Sequence, residues 1–292
     1  MSKSAHLLSL LREAVDSCLE TDKPVGVVLS GGLDSSSVAS LSGDIPTFTG
    51  YYDEPGYSEL HYSRLVGSGR HHEILITPQD FIDNFDAMVP HLVRPWQGMG
   101  TFGQYMVGKY LADWGVKVAL SGEGSDELFG GYPRLMRVAG VPLPDNYQDY
   151  RQPKGYPSTL QAALDYDYER LKDLLAVDDQ CMRAHGIEAR APFTDHKIVD
   201  WALALPAQER VGKKLLREAV KGLVPWQIIE RTDNMGMPIP LVKWANEDEG
   251  VREFILGKIG YLPNIDEPWN RTFWYDILNS AAGETNPVSL VA

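Results

Sequence analysis

The chain has 292 residues, 43% of them hydrophobic and 23% charged, enough to bury a substantial core without disulfide or metal staples. Its 27 Lys and Arg against 40 Asp and Glu leave a net charge of −13, the wrong sign for general attraction to nucleic acid or anionic lipid, so any phosphate site has to be local. The composition is that of an ordinary globular protein and excludes disorder and fibrous repeats.

The first predicted element is a helix. Leu7, Leu8, Leu11, Ala14, Val15, Cys18 and Leu19 recur at three- and four-residue steps with charges opposite, the pattern of an amphipathic helix and not of a signal peptide. Val25 to Leu29 is a short apolar run between Pro24 and the Ser30-Gly31-Gly32 turn, which predicts a strand buried on both faces, with a helix from about Asp34. Then come Pro46 to Tyr52, a helical stretch from Ser58 to Ser68, the run His72 to Thr77, helices Gln79 to Leu92 and Thr101 to Trp114, and a strand from Val116 to Leu120. Short apolar strands alternating with helices imply right-handed crossovers and a mainly parallel, Rossmann-like sheet, hence an α/β fold.

Val141 to Ser158, rich in proline and tyrosine and without periodicity, is a connection. Beyond it the strand signal fades, and helices are expected at Thr159 to Leu175, Thr194 to Leu205, Lys213 to Leu223 and Val251 to Ile259. The organisation expected is one domain over 1–292: an α/β core (1–140), the connection (141–158) and a helical part (159–292). The tail from about Gly283 lacks anchoring signals. No apolar run approaches the ~20 residues that span a bilayer. Cys18 and Cys181 have no metal-ligand spacing and are expected to be reduced, in a cytoplasmic setting. The sequon at Asn270 is accordingly expected to be idle.

The strongest local signal is Ser30-Gly31-Gly32-Leu33-Asp34-Ser35-Ser36, between the first strand and its helix. Consecutive glycines let amides converge, the serines add hydroxyl donors and the helix N-terminus adds positive charge, so this is an anion cradle. It lacks the lysine and spacing of a Walker A loop. A carboxylate such as Asp34 beside phosphate oxygens is unfavourable unless a cation such as Mg²⁺ is shared between them. A plain turn with an Asp cap is the alternative. The second cluster, Ser121-Gly122-Glu123-Gly124-Ser125-Asp126-Glu127, follows another strand; in a parallel sheet the two loops meet at one edge, where Asp34 and Asp126 can share one ion. Two solvated polar loops are the bland reading. Paired His71 and His72 face opposite ways on a strand and are expected to be structural. The scattered tryptophans, Trp96, Trp114, Trp201, Trp226 and Trp244, are expected to pack in the core or in pockets and not to form a stacking platform.

Together, SGGLDSS and SGEGSDELFGGY resemble the synthetase domain of the asparagine synthetase and β-lactam synthetase family, within the PP-loop ATP pyrophosphatases. The likeness continues in His71-His72-Glu73, in Glu188 to Asp195, in Lys213 to Glu218 and in Gly236 to Pro240. It implies an ATP- and Mg²⁺-dependent ligase that activates a carboxylate as an acyl-adenylate, releases pyrophosphate, and lets ammonia or an amine displace AMP. On that resemblance Asp34 and Asp126 hold the metal, and Leu29, Ser30, Gly31, Gly32, Ser35, Ser36, Ser121 and Gly122 form the ATP and pyrophosphate site. Lys213 stabilises the transferring charge, a choice over the adjacent Lys214 that rests on the family pattern alone, and Glu123 contacts or deprotonates the incoming nitrogen. Amidation of aspartate is the first implied reaction. Another carboxylic acid, amidated or cyclised, and a non-catalytic nucleotide-binding subunit are the alternatives.

Three departures from the family pattern are visible. Ser2 stands where glutamine-dependent members carry a cysteine nucleophile, which implies nitrogen from free ammonia or from a separate glutaminase subunit. Gln180 replaces a basic residue, with Arg183 one turn away as its substitute in the pyrophosphate site. The segment Arg94 to Gly103 replaces one that shapes the acceptor pocket. No nucleic acid or membrane partner is expected, and homo-oligomerisation is left open.

Overall fold

The computed structural model describes residues 1–67, 69–92, 98–143, 152–233, 236–265 and 270–283. Strands β1 (Val25–Val28), β2 (Thr47–Tyr51), β3 (His71–Leu75), β4 (Val118–Leu120) and β5 (Glu188–Arg190) form one sheet in the order β3-β2-β1-β4-β5, every pair parallel. The register sets Val27 beside both Thr47 and Leu120, and Val118 beside Glu188.

Side chains alternate across the sheet with period two, so each face meets its own helical layer. Val27, Leu29, Val118 and Leu120 pack with Leu7, Leu11 and Val15 of helix Lys3–Leu19, and with helices Leu33–Leu41 and Lys214–Ala219. Phe48 and Ala119 face the other layer, which includes helices Pro78–Met88, Thr101–Asp113, Glu249–Ile259 and Arg271–Ala281.

The expected parallel α/β sheet and most of its elements are present. Three expectations are corrected. The second half is not purely helical, because β5 extends the sheet; its three residues, Glu-Ala-Arg, lie at an edge and partly exposed, and so show no apolar run. The helix expected to end at Leu175 runs unbroken from Leu160 to Arg183 and brings Asp178 and Cys181 into the interior. Trp114 and Trp226 are also exposed, at 61% and 66%, although Trp244 is buried. His71 bonds Thr47 Oγ1 at 2.8 Å, and His72 stacks on Phe48 and lies against Trp114. Much of the connection (144–151), part of the Arg94 to Gly103 segment including Trp96, and most of the tail lie outside the described residues. Among the described residues no helix is long and apolar enough to cross a membrane.

Candidate active site

The strand order reverses between β1 and β4, so the crevice between their carboxyl ends is where an open α/β sheet takes its ligand. Leu29 continues β1 in the buried core, and the Ser30-Gly31-Gly32 turn follows. The turn is braced by its own serines: Ser35 Oγ accepts from the Ser30 N–H at 3.1 Å and lies 2.9 Å from Ser30 Oγ, which accepts from the Gly32 N–H at 3.2 Å. Helix Leu33–Leu41 starts directly after it with no side-chain cap, which leaves first-turn amides for an anion. After β4, Gly122 lies so close to this helix start that a Cβ there would be 2.6 Å from Ser35 N. The two motifs therefore meet backbone to backbone.

Lys213 joins them. Its Nζ lies 2.5 Å from Asp34 Oδ2 and 2.7 Å from Asp126 Oδ1, with the lysine side chain only 6% exposed. Burial pulls the ammonium down, but Asp126 and Asp34 outweigh it and hold Lys213 above the ordinary lysine range. Its backbone is left-handed at φ 57°, the one non-glycine residue with positive φ among the described residues. Such a conformation costs about 1–2 kcal/mol and persists where surrounding contacts impose it.

One ammonium between two carboxylates leaves the cluster with an excess negative charge. Asp34 Oδ1, Ser36 Oγ and Ser125 Oγ are also buried without a hydrogen-bond partner. Hard oxygen donors in this condition fit Mg²⁺, an ion that takes one or two protein carboxylates and completes its shell with water and phosphate oxygens. Among the described residues no group of three or more His, Cys, Asp or Glu side chains is placed to hold a metal.

Acidic groups crowd the same corner. Glu123, partly buried, is pushed up to about 8 by burial and then by Asp178, Glu127 and Asp126. Glu127 is pushed up to about 7 by burial and Asp126, and accepts a hydrogen bond from the Tyr132 hydroxyl. Asp178 rises to about 6 through burial, opposed by a 3.3 Å bond from Ser121 Oγ. Asp178 and Tyr132 were not among the sequence candidates. The signal for Asp178 was there: it follows Leu171 by seven residues on the buried face of its helix, a polar residue on an apolar stripe.

A cleft of about 610 Å³ opens beside Lys213 and Leu33. Its walls carry five cationic side chains, Lys213, Lys214, Arg217, Lys221 and Arg231, against three acidic ones. Lys213 and Arg231 are already paired with carboxylates, which leaves Lys214, Arg217 and Lys221 as the cations that can draw an anion to this side of a chain of net charge −13. Lys214 is exposed on this wall, and Lys213 is the lysine turned to the carboxylates. Arg183 is exposed and its guanidinium pairs with Asp179 one turn back at 2.7 Å, in place of any contact with the two loop motifs among the hydrogen bonds and ion pairs of the described residues.

The asparagine synthase family model matches residues 6–148 and 144–267. The chain is 31% identical to the glutamine-hydrolyzing asparagine synthetase of Rattus norvegicus over 77% of its own length and 41% of that protein. For the glutamine-hydrolyzing asparagine synthetase 1 of Bacillus subtilis (strain 168) the figures are 26%, 83% and 51%. The chain thus spans about half the length of the curated relatives it matches. Among solved structures it is similar to NMN synthetase from Francisella tularensis, at TM-score 0.39 and 15% identity over 94% of each chain. A match running through both loop motifs and the Lys213 segment places the chain in the asparagine synthase family, and it belongs to that family of ATP-dependent carbon–nitrogen ligases.

Proposed function

We propose that the chain forms an amide at the expense of ATP through an acyl-adenylate, with aspartate as the carboxylate and ammonia, free or delivered by a separate glutaminase, as the nitrogen source. The observation that carries this reading is the Lys213 ammonium held between Asp34 and Asp126 where the two loops meet. In the first step a carboxylate oxygen attacks the α-phosphorus and the bond to the β-phosphate bridging oxygen breaks. Negative charge then accumulates on the departing pyrophosphate. Leu33, Asp34 and Ser35 amides, the Ser30 to Ser36 hydroxyls and Lys213 are arranged to receive that charge, the kind of preorganised electrostatics that dominates such reactions. Asp34 and Asp126 would hold Mg²⁺, which when bound supplies Lewis-acid neutralisation of phosphate oxygens.

In the second step nitrogen attacks the acyl carbon, AMP leaves, and the nitrogen gives up a proton. Glu123, with its ionisation near 8, exchanges protons close to working pH and suits that role. The assigned chemistry, the two free cysteines and the absence of a membrane-spanning helix among the described residues fit a cytoplasmic enzyme. The test is carboxylate-dependent exchange of labelled pyrophosphate into ATP, screened over aspartate and other acids. Exchange with aspartate supports the reading; exchange with a different acid alone replaces the substrate; none with any acid overturns the enzyme assignment in favour of a binding subunit.

A further inference from the structure

Arg231, just beyond helix Trp226–Glu230, belongs to neither glycine-rich motif, yet its side chain is only 3% exposed and makes four hydrogen bonds. Nε donates to Asp233 Oδ1 at 2.9 Å, one terminal nitrogen donates to the Gly31 carbonyl at 3.1 Å, and the other donates to Glu59 Oε1 and to the Asp233 carbonyl at 3.2 Å. The guanidinium carbon lies 3.8 Å over the Tyr62 ring, whose hydroxyl reaches both Asp233 carboxylate oxygens at 3.1 and 3.0 Å. Three separate segments therefore converge on one cation: the turn after β1, the start of helix Leu60–Val66, and the stretch that follows helix Trp226–Glu230.

The carbonyl of Gly31 and the N–H of Gly32 belong to one planar peptide, so holding the first fixes the direction of the second. Gly32 N–H donates to Ser30 Oγ, and Ser30 Oγ bonds Ser35 Oγ in the first turn of the helix that bears Asp34. A continuous hydrogen-bonded path thus runs from Arg231 to the donors of the anion cradle. From the other side Gly31 is pressed against helix Leu60–Val66, since a Cβ there would lie 2.7 Å from Ser63 N. With four of its five N–H donors given to protein acceptors, Arg231 is held in one orientation by the fold.

We infer that Arg231 is a positioning residue for the nucleotide site, holding the Ser30 to Gly32 turn in its phosphate-receiving shape through the Gly31 carbonyl. Lysine cannot replace it, because an ammonium lacks the planar fork that serves Gly31, Glu59 and Asp233 at once. This inference rests on the reading that the turn receives the triphosphate of ATP. The two are separated by measuring ATP binding to the full-length wild-type chain by calorimetry. Absence of binding there ends both, whereas binding with equal affinity in wild type and Arg231→Lys ends only this inference.

Arg231→Lys keeps the charge against Glu59, and the expected result is a folded protein whose dissociation constant for ATP rises at least tenfold. In the exchange assay the expected change is a matching rise in KM with kcat reduced less than threefold. A purely structural role would lower the melting temperature and leave ATP affinity within twofold of wild type in the folded protein, which overturns the proposal. Should Arg231→Lys fail to fold, Asp233→Asn decides: the Asp233 side chain is largely exposed, so the fold survives, and loss of its charge frees the guanidinium on one side. The expected result there is an ATP dissociation constant raised about threefold, and an unchanged constant overturns the proposal.

Discussion

Replacing Lys213 by methionine keeps the length of the side chain and removes the charge that Asp34 and Asp126 share at 2.5 and 2.7 Å. Two carboxylates would then face each other with no counterion. The least costly repair is to protonate Asp34, the more buried of the two. Starting from the ordinary value of 3.8, neutralising that carboxyl costs about 4 kcal/mol at pH 7 and about 2 kcal/mol at pH 5, and since burial already raises Asp34 with the lysine present these are upper limits on the effect of the substitution. The first figure agrees with the ~3–5 kcal/mol lost when one partner is removed from a buried ion pair. The sign follows from linkage: a carboxyl raised in the folded state binds its proton there first. The penalty is therefore absent below the unfolded value and grows as pH rises towards the folded one. Urea denaturation of wild type and Lys213→Met should give losses up to those figures, larger at pH 7 than at pH 5, with the same m-value. Excess Mg²⁺ should restore part of the pH 7 loss. A loss under ~1 kcal/mol at pH 7, the size of an exposed ion pair, would refute the picture of a buried, mutually dependent triad. An equal loss at both pH values would do the same.

A Cβ at Gly131 would lie 1.9 Å from Asp126 Oδ1 and 2.2 Å from Lys213 Cε, so Gly131→Ala should cost about 1–3 kcal/mol of stability and slow pyrophosphate exchange at least tenfold. Exchange at the wild-type rate would separate the ion pair from the chemistry. Glu123 is raised from 4.5 to about 8 by burial and by the acids around it, so its ionisation weakens the folded state as pH climbs through that window, whereas glutamine cannot ionise. The melting temperature of Glu123→Gln relative to wild type should accordingly rise across the window, and a flat difference would contradict the assigned environment. Burial pushes both thiols up, Cys181 far more than Cys18, so a thiol reagent should leave Cys181 untouched in the native protein and reach both after unfolding. Rapid native labelling of Cys181 would show that its helix opens readily.

The two loop motifs were legible because each is short and sits between a strand and a helix, so Ser30 to Ser36 and Ser121 to Asp126 carry their geometry in local sequence. Lys213 has no such signal. It meets Asp34 across 179 positions of chain, and only family resemblance singled it out. Arg231 was invisible for the same reason, since its partners Gly31, Glu59 and Tyr62 all lie at long range. Arg183 stood in the right helix, but its side chain turned to Asp179, the neighbour one turn away that always competes for an exposed arginine. Helix Arg271–Ala281 could have been read: Phe273, Trp274, Ile277 and Leu278 fall at helical spacing and are buried. β5 could not, because an edge strand of three mostly polar residues owes its existence to the ladder it joins.

Direct pairing of β1 with β4 joins parts of the chain that lie more than ninety positions apart, Val27 beside Leu120. Neither half of the crevice has a shape of its own until that ladder closes, and distant pairings of this kind are assembled slowly. On the proposed function, nucleotide affinity is thus a readout of global folding: a fragment or a partly collapsed intermediate with intact glycine motifs would be blind to ATP. Any ligand that grips the crevice clamps those two remote stretches together, and it would slow the unravelling of the whole sheet.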